Sequence, residues 1–320
     1  MRTTALGRGE ATEIGVVGLG CMGMSWGYDE RGRDERTSIE AVHRAVDLGC
    51  TLIDTADQYG PFTNEELVGR AIKGRRDELV LATKGGLVVD DPATFRSHRD
   101  GRPEHLRSAC EASLRRLGVD HVDLYQLHRV DEEVPLEETW GAMAELVAEG
   151  KVRALGLSEV TVEEIERASA VHPVASVQSE LSLWSREPLA DGVLEHCTRE
   201  GIVFVAYAPL GRGFLAGRYR TPQDLPAVDG RHSIPRFQPE ALAANQAVVD
   251  PVRKVAERRG VTAAQVSIAW VLAQGEGVVA LAGTKNPRRV AENAAAQGLT
   301  LTPGDLAELA ALPAAAGTRY

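Results

Sequence analysis

The stretch TLIDTADQYGPFTNEELVGRAIKG (residues 51–74) has the pattern of a strand, a turn and a helix, and it decides the fold because the chain repeats it. Residues 51–54 are the short β-branched and apolar run that is typical of a buried strand. The dipeptide Gly60-Pro61 marks a turn, and Thr63 or Asn64 is expected to cap the helix that follows. Such strand–turn–helix units are the building blocks of parallel sheets.

Similar units precede and follow this one along the chain. Eight segments are predicted as strands, each followed by an amphipathic helix: 16–20, 51–54, 79–84, 122–128, 152–158, 174–180, 202–210 and 277–284. This alternation requires a parallel sheet, and eight units that close on themselves make a (β/α)8 TIM barrel of the α/β class. An open, doubly wound sheet is the competing fold. Gly18, Gly20 and Gly23 match its G-x-G-x-x-G fingerprint, but no helix begins at Gly23, so we favour the barrel.

Capping residues predict where several helices begin and end. The first helix is expected over 38–48, with Thr37 as its N-cap and Gly49 as its stop. Further signals are Pro103 and Gly118 at the ends of the third helix, and a capping box of Thr161 and Glu164 before the fifth. Thr302 is expected to cap an extra C-terminal helix over 302–312.

Other segments complete the predicted architecture. An N-terminal hairpin is expected from 3–6 and 13–15. Residues 211–241, rich in Gly, Pro and Arg, are too long for an ordinary connection, and loops of this size in compact domains are usually functional. We expect a single domain over 1–320 with this loop after the seventh strand.

The composition argues against several classes of function. The 36 basic and 46 acidic residues give a net charge of −10, which argues against a nucleic-acid or anionic-membrane partner. No apolar run reaches the roughly 18 residues of a membrane span, and the N-terminus lacks the apolar core of a signal peptide. Cys21, Cys50, Cys110 and Cys197 lie far apart without a CxxC pair, so we predict reduced thiols in the cytoplasm and no metal site.

Side chains that can carry protons stand at the ends of three consecutive predicted strands. Asp54 ends the second strand, Lys84 the third and His128 the fourth. The period of two along each strand directs all three toward the barrel interior. Tyr59 lies on the loop just after Asp54. Because the carboxyl ends of barrel strands open onto one face, we expect these four side chains to converge there.

Four such groups suit the protonation of a carbonyl oxygen while a hydride attacks the carbon. A free tyrosine titrates near pH ~10 and is a poor acid at neutral pH. We expect the Lys84 ammonium to lower the pKa of Tyr59, and Asp54 to keep Lys84 charged. His128 can donate to a substrate oxygen or relay a proton. A Schiff-base aldolase is an alternative use of a barrel lysine, although it needs Lys84 neutral.

The sequence resembles the aldo-keto reductase family at seven segments in order. IDTADQYG, LATKGG and DLYQLHR resemble the motifs of its Asp–Tyr–Lys–His tetrad, and ALGLSEV, VQSELS, AYAPLGRGFLAGR and GTKNPRRVAEN resemble its later segments. The similarity covers 6–312, and its long seventh loop resembles the bacterial and plant branch. The resemblance implies an oxidoreductase that reduces an aldehyde or ketone with NADPH. A nucleotide-sensing regulatory subunit of the same fold is the alternative.

The resemblance also implies roles for individual residues. Tyr59 would be the general acid-base, with Lys84 and Asp54 as the pair that lowers its pKa and His128 as the donor that orients the substrate. The residues implied for the nicotinamide half and the pyrophosphate are Gly23, Met24, Asp54, Ser158, Gln178, Tyr207, Ala208, Pro209, Leu210, Gly211 and Gly213. The eighth segment would add Gly283, Thr284, Lys285, Arg289, Glu292 and Asn293.

Charge in the eighth segment favours NADP over NAD. A helix that opens at Pro287 offers free N–H groups, and Lys285 and Arg289 are expected at the 2′-phosphate. Two positions depart from the family pattern, Glu159 where asparagine is frequent and Gly283 where many members carry lysine. The substrate and the choice between monomer and homo-oligomer stay open. Pocket candidates are Met24, Trp26, Tyr28, Leu87, Arg129, Trp184 and the loop 212–237.

Overall fold

The computed structural model describes residues 2–7 and 12–319, so the turn of the predicted N-terminal hairpin (8–11) lies outside the described residues. The strands are β1 (Thr3–Leu6), β2 (Thr12–Gly15), β3 (Val17–Gly20), β4 (Leu52–Asp54), β5 (Val80–Gly85), β6 (Leu87–Asp91), β7 (Arg96–Arg99), β8 (Val122–Leu127), β9 (Val152–Ser158), β10 (Ser176–Glu180), β11 (Val203–Tyr207) and β12 (Val278–Gly283). The helices are α1 (Glu35–Asp47), α2 (Thr63–Ile72), α3 (Pro103–Leu117), α4 (Leu136–Ala148), α5 (Val162–Val171), α6 (Glu187–Ala190), α7 (Val193–Glu200), α8 (Pro239–Ala244), α9 (Gln246–Arg259), α10 (Ala263–Leu272), α11 (Pro287–Ala295) and α12 (Pro303–Ala310).

Eight parallel strands close into a barrel in the order β10-β11-β12-β3-β4-β5-β8-β9. This confirms the predicted (β/α)8 fold and excludes the open doubly wound sheet. Leu52, Val80, Ala82 and Leu124 belong to one apolar cluster inside the barrel, on the strand face that the period of two predicts. A larger apolar cluster packs the outer faces of the strands against the helices.

The N-terminal hairpin closes one end of the barrel. Its strands pair antiparallel, with Thr3 opposite Gly15. Leu6 and Ile14 are buried in the same cluster as the inward-facing barrel residues. The hairpin is therefore confirmed on its described residues, and the predicted site residues end their strands at the opposite, carboxyl end of the barrel.

The third, fifth and last helices begin where their capping residues predict. Pro103 opens α3 and Gly118 ends it in the left-handed region at φ +67°. Thr161 and Glu164 form a capping box before α5. Thr302 caps α12 by accepting the N–H of Asp305, which confirms the extra C-terminal helix.

The predicted caps of the first two helices are wrong. Helix α1 begins three residues earlier than expected, at Glu35, because the Asp34 carboxylate accepts the Thr37 N–H at 2.7 Å. Helix α2 has no side-chain cap and follows Phe62, whose φ is +66°. Asn64 lies inside that helix, where its amide donates to the Cys21 carbonyl oxygen at 2.9 Å. A capping residue type is thus used for a tertiary contact.

Three other differences concern segments with weak local signals. A hairpin of β6 and β7 follows the third barrel strand and is absent from the sequence prediction. The helical segment after β10 is divided into α6 and α7, with Gly192 at φ +82° between them. The seventh barrel strand stops at Tyr207 rather than 210, because Ala208 turns into the left-handed region at φ +50°.

The long segment 211–241 is folded rather than irregular. It forms four 3₁₀ turns and the start of α8. Phe214 and Phe237 anchor it to the barrel by packing on Trp184, at centroid distances of 4.3 and 5.5 Å. Within the described residues, no helix is long and apolar enough to cross a membrane.

Candidate active site

The structure brings the four predicted catalytic side chains together at the carboxyl end of the barrel. Asp54 ends β4, and Lys84 lies in β5 beside it. Lys84 Nζ donates to Asp54 Oδ1 at 2.5 Å and lies 3.3 Å from the hydroxyl of Tyr59. The rings of Tyr59 and His128 meet edge to face at a centroid distance of 5.9 Å. All four side chains are buried.

Lys84 is held as an ammonium ion. Burial alone would lower its pKa, but Asp54 and Tyr59 raise that pKa above its ordinary value. The same nitrogen also donates to the Thr55 carbonyl oxygen at 2.9 Å. A Schiff-base mechanism needs a neutral amine, so this ion pair disfavours the aldolase alternative.

The predicted direction of the Tyr59 pKa shift is wrong. Burial raises the pKa of Tyr59 above its ordinary value, and the opposing effect of the Lys84 ammonium is smaller. Tyr59 is therefore a neutral phenol at physiological pH and can donate a proton. The Lys84 ammonium still favours the phenolate that proton transfer would leave behind.

His128 is neutral and has an uncommitted nitrogen. Burial, assisted by the charges of Lys84 and Arg129, holds its pKa well below the ordinary value. Its Nδ1 atom is buried without a hydrogen-bond partner in the part of the chain that the structure describes. A neutral imidazole next to a tyrosine hydroxyl can orient an incoming polar atom.

Gln126 is a site residue that the sequence analysis missed. Its Nε2 donates to Asp54 Oδ2 at 3.1 Å, and Gln178 donates to the same oxygen at 3.0 Å. The two amides therefore satisfy the carboxylate oxygen that Lys84 does not reach. Gln126 lies on the inward face of its strand, so the period of two was the signal that could have found it.

The residues implied for the nicotinamide lie on adjacent strands. Ser158 and Gln178 are Cα partners in the β9–β10 pairing, and both are buried. Arg129 donates to the Ser158 hydroxyl oxygen at 3.1 Å and to the His128 carbonyl oxygen at 2.6 Å. The pocket candidate Arg129 thus holds the site together rather than pointing to solvent. The Ser158 hydroxyl keeps its proton for a further acceptor.

The backbone after β11 turns sharply through several residues with positive φ. Ala208, Gly211, Arg212 and Gly213 all have positive φ, from +50° to +94°. A Cβ at Gly211 would lie 2.6 Å from the Trp184 ring, so only glycine fits there. Pro209 and Leu210 lie between these positions, and Tyr207 precedes them, so the predicted pyrophosphate residues form one continuous turn.

The eighth segment forms a basic helix entrance. Asn286 caps α11 by accepting the N–H of Arg288. Burial and the nearby Arg218 both hold the pKa of Arg289 below its ordinary value. No carboxylate among the described residues lies within ion-pair distance of Arg289. Gly283 ends β12 opposite Gly20 of β3, which leaves a strip of backbone without side chains next to this entrance.

The remaining predicted residues of that segment lie around the same entrance. Thr284 Oγ1 accepts the N–H of Asn286 at 3.2 Å. Glu292 is half-buried on α11, and Asn293 is buried one residue further along. On the loop after β3, Gly23 is half-buried in a 3₁₀ turn, whereas the Met24 side chain is buried in the outer core.

The long segment 211–241 is joined to the loop after β3. Lys285 Nζ lies 3.3 Å from Asp29 Oδ2 and donates to the Asp29 carbonyl oxygen at 3.0 Å. The Asp29 N–H donates to Asp229 Oδ2 at 3.0 Å. Arg231 holds that carboxylate from the other side at 2.6 Å. These contacts join the long segment and the start of the eighth segment to the loop after β3.

An apolar wall stands beside Tyr59. Trp26, Ala56 and Tyr59 form a buried cluster, with Met22 and Val89 packed against it. Phe95, at the tip of the unpredicted β6–β7 hairpin, meets Trp26 edge to face at 4.9 Å. Trp26 thus packs against Tyr59, whereas Trp184 is buried in the aromatic cluster under the long segment.

Comparisons with known proteins agree with this geometry. The model of the Aldo/keto reductase family matches residues 16–313. The chain belongs to this family. A glycerol dehydrogenase from Gluconobacter oxydans is similar in structure, with a TM-score of 0.85, 33% sequence identity, and coverage of 96% of this chain and 94% of that one. Members of the family are oxidoreductases, and the present chain is one by this membership.

Two further structures are similar over nearly the whole chain. An aldo-keto reductase from Klebsiella pneumoniae in complex with NADPH has a TM-score of 0.73 and 31% identity, with coverage of 97% of this chain and 94% of that one. An aldo/keto reductase from the same organism, in complex with NADP and acetate, has a TM-score of 0.74 and 30% identity. That match covers 99% of this chain and 98% of the other.

Proposed function

We propose that this aldo-keto reductase reduces an aldehyde or ketone to an alcohol, with NADPH as hydride donor and Tyr59 as proton donor. The observation that carries the proposal is the buried chain of contacts from Asp54 through Lys84 to the Tyr59 hydroxyl. It places a neutral phenol next to a fixed positive charge at the open end of the barrel. That arrangement favours transfer of the phenol proton to an oxygen that gains negative charge.

The residues at the carboxyl ends of the first, seventh and eighth strands fit a phosphorylated dinucleotide. Arg289 and Arg218 form a positive patch at the entrance of α11, where backbone N–H groups also favour an anion. The positive-φ turn around Gly211 and the glycine strip of β3 and β12 give backbone access for a pyrophosphate. Ser158, Gln178 and Tyr207 would hold the nicotinamide end. The NADPH and NADP bound to the two related Klebsiella proteins support this choice.

The chain's own residues would then act in a fixed order. A cofactor bound there would supply the hydride that the carbonyl carbon accepts. Neutral His128 offers an N–H to the carbonyl oxygen and orients it toward Tyr59. Tyr59 gives its hydroxyl proton to that oxygen, and the Lys84 ammonium stabilises the phenolate that remains. Asp54, with Gln126 and Gln178 on its second oxygen, holds Lys84 in place.

The apolar wall beside Tyr59 supports a substrate whose carbonyl group carries an apolar substituent. Trp26, Val89 and Phe95 would contact such a group. Arg129 is committed to His128 and Ser158, so it supports no preference for an acidic substrate.

We also propose that the chain forms a single domain.

The decisive test is the variant Tyr59→Phe, assayed by NADPH oxidation with a panel of aldehydes and ketones. We expect kcat to fall by roughly 10²–10⁴-fold, because the proton donor is lost while the shape is kept. The NADPH dissociation constant should stay within about twofold, since the phenol is not needed to bind nucleotide. Unchanged turnover in Tyr59→Phe would contradict the proposed proton donor.

Tyr125→Phe is the matched control for this test. It removes another buried tyrosine hydroxyl, which lies 3.4 Å from the Leu106 carbonyl oxygen behind the barrel strands. We expect its turnover to match that of the wild type. If the wild-type protein neither binds NADPH nor reduces any carbonyl compound in the panel, the proposed function itself is wrong and the sensor alternative is favoured.

A further inference from the structure

The segment after α12 returns to the carboxyl face of the barrel. The Asn245 side chain fastens it by donating to the Ala316 carbonyl oxygen at 3.0 Å and accepting the Ala316 N–H at 2.8 Å. Arg236 donates to the Gly317 carbonyl oxygen at 3.2 Å. Gly317 has φ +81°, and a Cβ there would meet the Arg236 backbone at 3.1 Å. These contacts therefore fix the path of the backbone as far as Arg319.

Arg319 ends this path on Glu159, the residue that departs from the family pattern. Its guanidinium holds the Glu159 carboxylate with two contacts, at 2.7 and 3.3 Å. Burial would raise the pKa of Glu159, but Arg319 holds that pKa below its ordinary value. The other function of this carboxylate is to accept the Glu180 N–H at 2.8 Å. Arg319 thus holds in place the carboxylate that joins the end of β9 to the end of β10.

A parallel ion pair stands next to this one. Arg212, from the long segment, holds the Glu180 carboxylate at 2.9 Å, and Ser185 donates to its other oxygen at 2.7 Å. Arg319 lies 3.9 Å from the same carboxylate. Two arginines from distant parts of the chain therefore neutralise two carboxylates beside Ser158 and Gln178.

We propose that Arg319 is a positioning residue for the nicotinamide end of the cofactor and that it acts through Glu159. This inference rests on the proposed function. Arg319 contacts Glu159, and the charge of the more distant Arg129 also lowers the pKa of that carboxyl. Arg129 in turn holds the Ser158 hydroxyl and the His128 carbonyl oxygen. Without Arg319, the Glu159 carboxylate would be attracted to Arg129 and would pull it away from both contacts.

The test compares two ligands that share the adenosine end of the cofactor, of which only one carries the nicotinamide. NADPH carries the nicotinamide, whereas adenosine 2′,5′-bisphosphate carries the adenosine with its 2′- and 5′-phosphates and no nicotinamide. We expect Arg319→Ala to raise the NADPH dissociation constant roughly tenfold, the effect of losing about one hydrogen bond to the nicotinamide end when Ser158 is no longer held in place. The dissociation constant of the bisphosphate should change by less than about twofold, because the α11 entrance is untouched.

A second variant separates positioning from a merely structural role. Glu159→Gln removes the charge that Arg319 neutralises, so Arg319→Ala should cost less than about threefold in NADPH affinity when added to Glu159→Gln. Arg319→Lys should recover part of the wild-type affinity. Arg36→Ala, which removes an exposed arginine of an i,i+4 pair on α1, is the charge-matched control and should leave both ligands unaffected.

Three outcomes would overturn the inference. These are unchanged NADPH affinity in Arg319→Ala, an equal loss for both ligands, and an undiminished loss in the Glu159→Gln background. An unfolding midpoint of Arg319→Ala close to that of Arg36→Ala shows that the variant is folded. Failure of the wild-type protein to bind NADPH would instead refute the proposed function. The inference about Arg319 fails separately, when the wild-type protein binds both NADPH and the bisphosphate but the variant does not lose NADPH affinity selectively.

Discussion

The buried ion pair of Lys84 and Asp54 makes Lys84→Met a demanding test of the site. The two side chains are only 1% and 3% exposed. Removal of one partner of a buried pair leaves an unpaired charge and typically costs about 3–5 kcal/mol. Asp54 keeps two donors, Gln126 at 3.1 Å and Gln178 at 3.0 Å, so the cost should fall at the low end. We expect a loss of about 3 kcal/mol in the free energy of unfolding.

Equilibrium urea unfolding at pH 7 measures this loss, and a second substitution checks its cause. Asp54→Asn added to Lys84→Met removes the unpaired charge, while both glutamine amides can still donate to the new amide oxygen. We expect the double variant to be more stable than Lys84→Met by about 1–2 kcal/mol. Turnover should be lost in both, because an unassisted phenol is too weak an acid.

Lys285→Met is the control for the same change in side chain. Lys285 is 20% exposed and its partner Asp29 is 39% exposed, and pairs this accessible contribute about 0–1 kcal/mol. We therefore expect a loss below about 1 kcal/mol there. If Lys84→Met were no less stable than Lys285→Met, or if Asp54→Asn gave no recovery, the argument from an unpaired buried charge would be refuted.

Four further predictions concern cofactor, pH, loop and substrate. Arg289→Ala should weaken NADPH at least tenfold more than NADH, because a charge-assisted contact to the 2′-phosphate would be lost; equal losses in a fluorescence titration would remove Arg289 from that role. The rate of reduction should stay level through neutral pH and fall only as the pH rises through the raised pKa of Tyr59, since the protonated phenol is the active form; a pH–rate profile that falls near pH ~7–8 for this group would contradict it. Saturating NADP should protect residues 211–241 from trypsin, because Asp29 and Asp229 join this segment to the loop after β3, next to the proposed cofactor site; equal cleavage with and without NADP would count against closure. Trp26→Ala should lower kcat/KM for a phenyl-bearing aldehyde roughly tenfold more than for a short polar one, and a uniform decrease would exclude Trp26 from specificity.

The sequence by itself determined the barrel and the direction of its key side chains. The period of two along a strand is a local property of the backbone, so Asp54 and Lys84 could be assigned to the interior before any fold was known. The capping boxes at Thr161 and Thr302 are equally local, since both partners lie within three residues. Local rules of this kind predicted the eight units and the carboxyl-end site.

Only the tertiary structure decided the features that depend on distant residues. Asp34, and not Thr37, caps α1, because its carboxylate accepts the Thr37 N–H. Asn64 does not cap α2, because its amide lies within hydrogen-bond distance of the Cys21 carbonyl oxygen, 43 positions earlier in the chain. The β6–β7 hairpin, which brings Phe95 to Trp26, has no strong periodic signal of its own. The contact of Arg319 with Glu159 joins residues 160 positions apart, and no spacing in the sequence predicts it.

The pKa of Tyr59 shows the physical reason for this division. The sequence identified the opposing charge, Lys84, and therefore predicted a lowered pKa. The direction of the shift depends on desolvation as well, which is the sum of every atom that excludes water from the phenol. That sum includes packing from loops and strands far away in the chain, so it exists only once the chain is folded, and there it exceeds the effect of the ammonium.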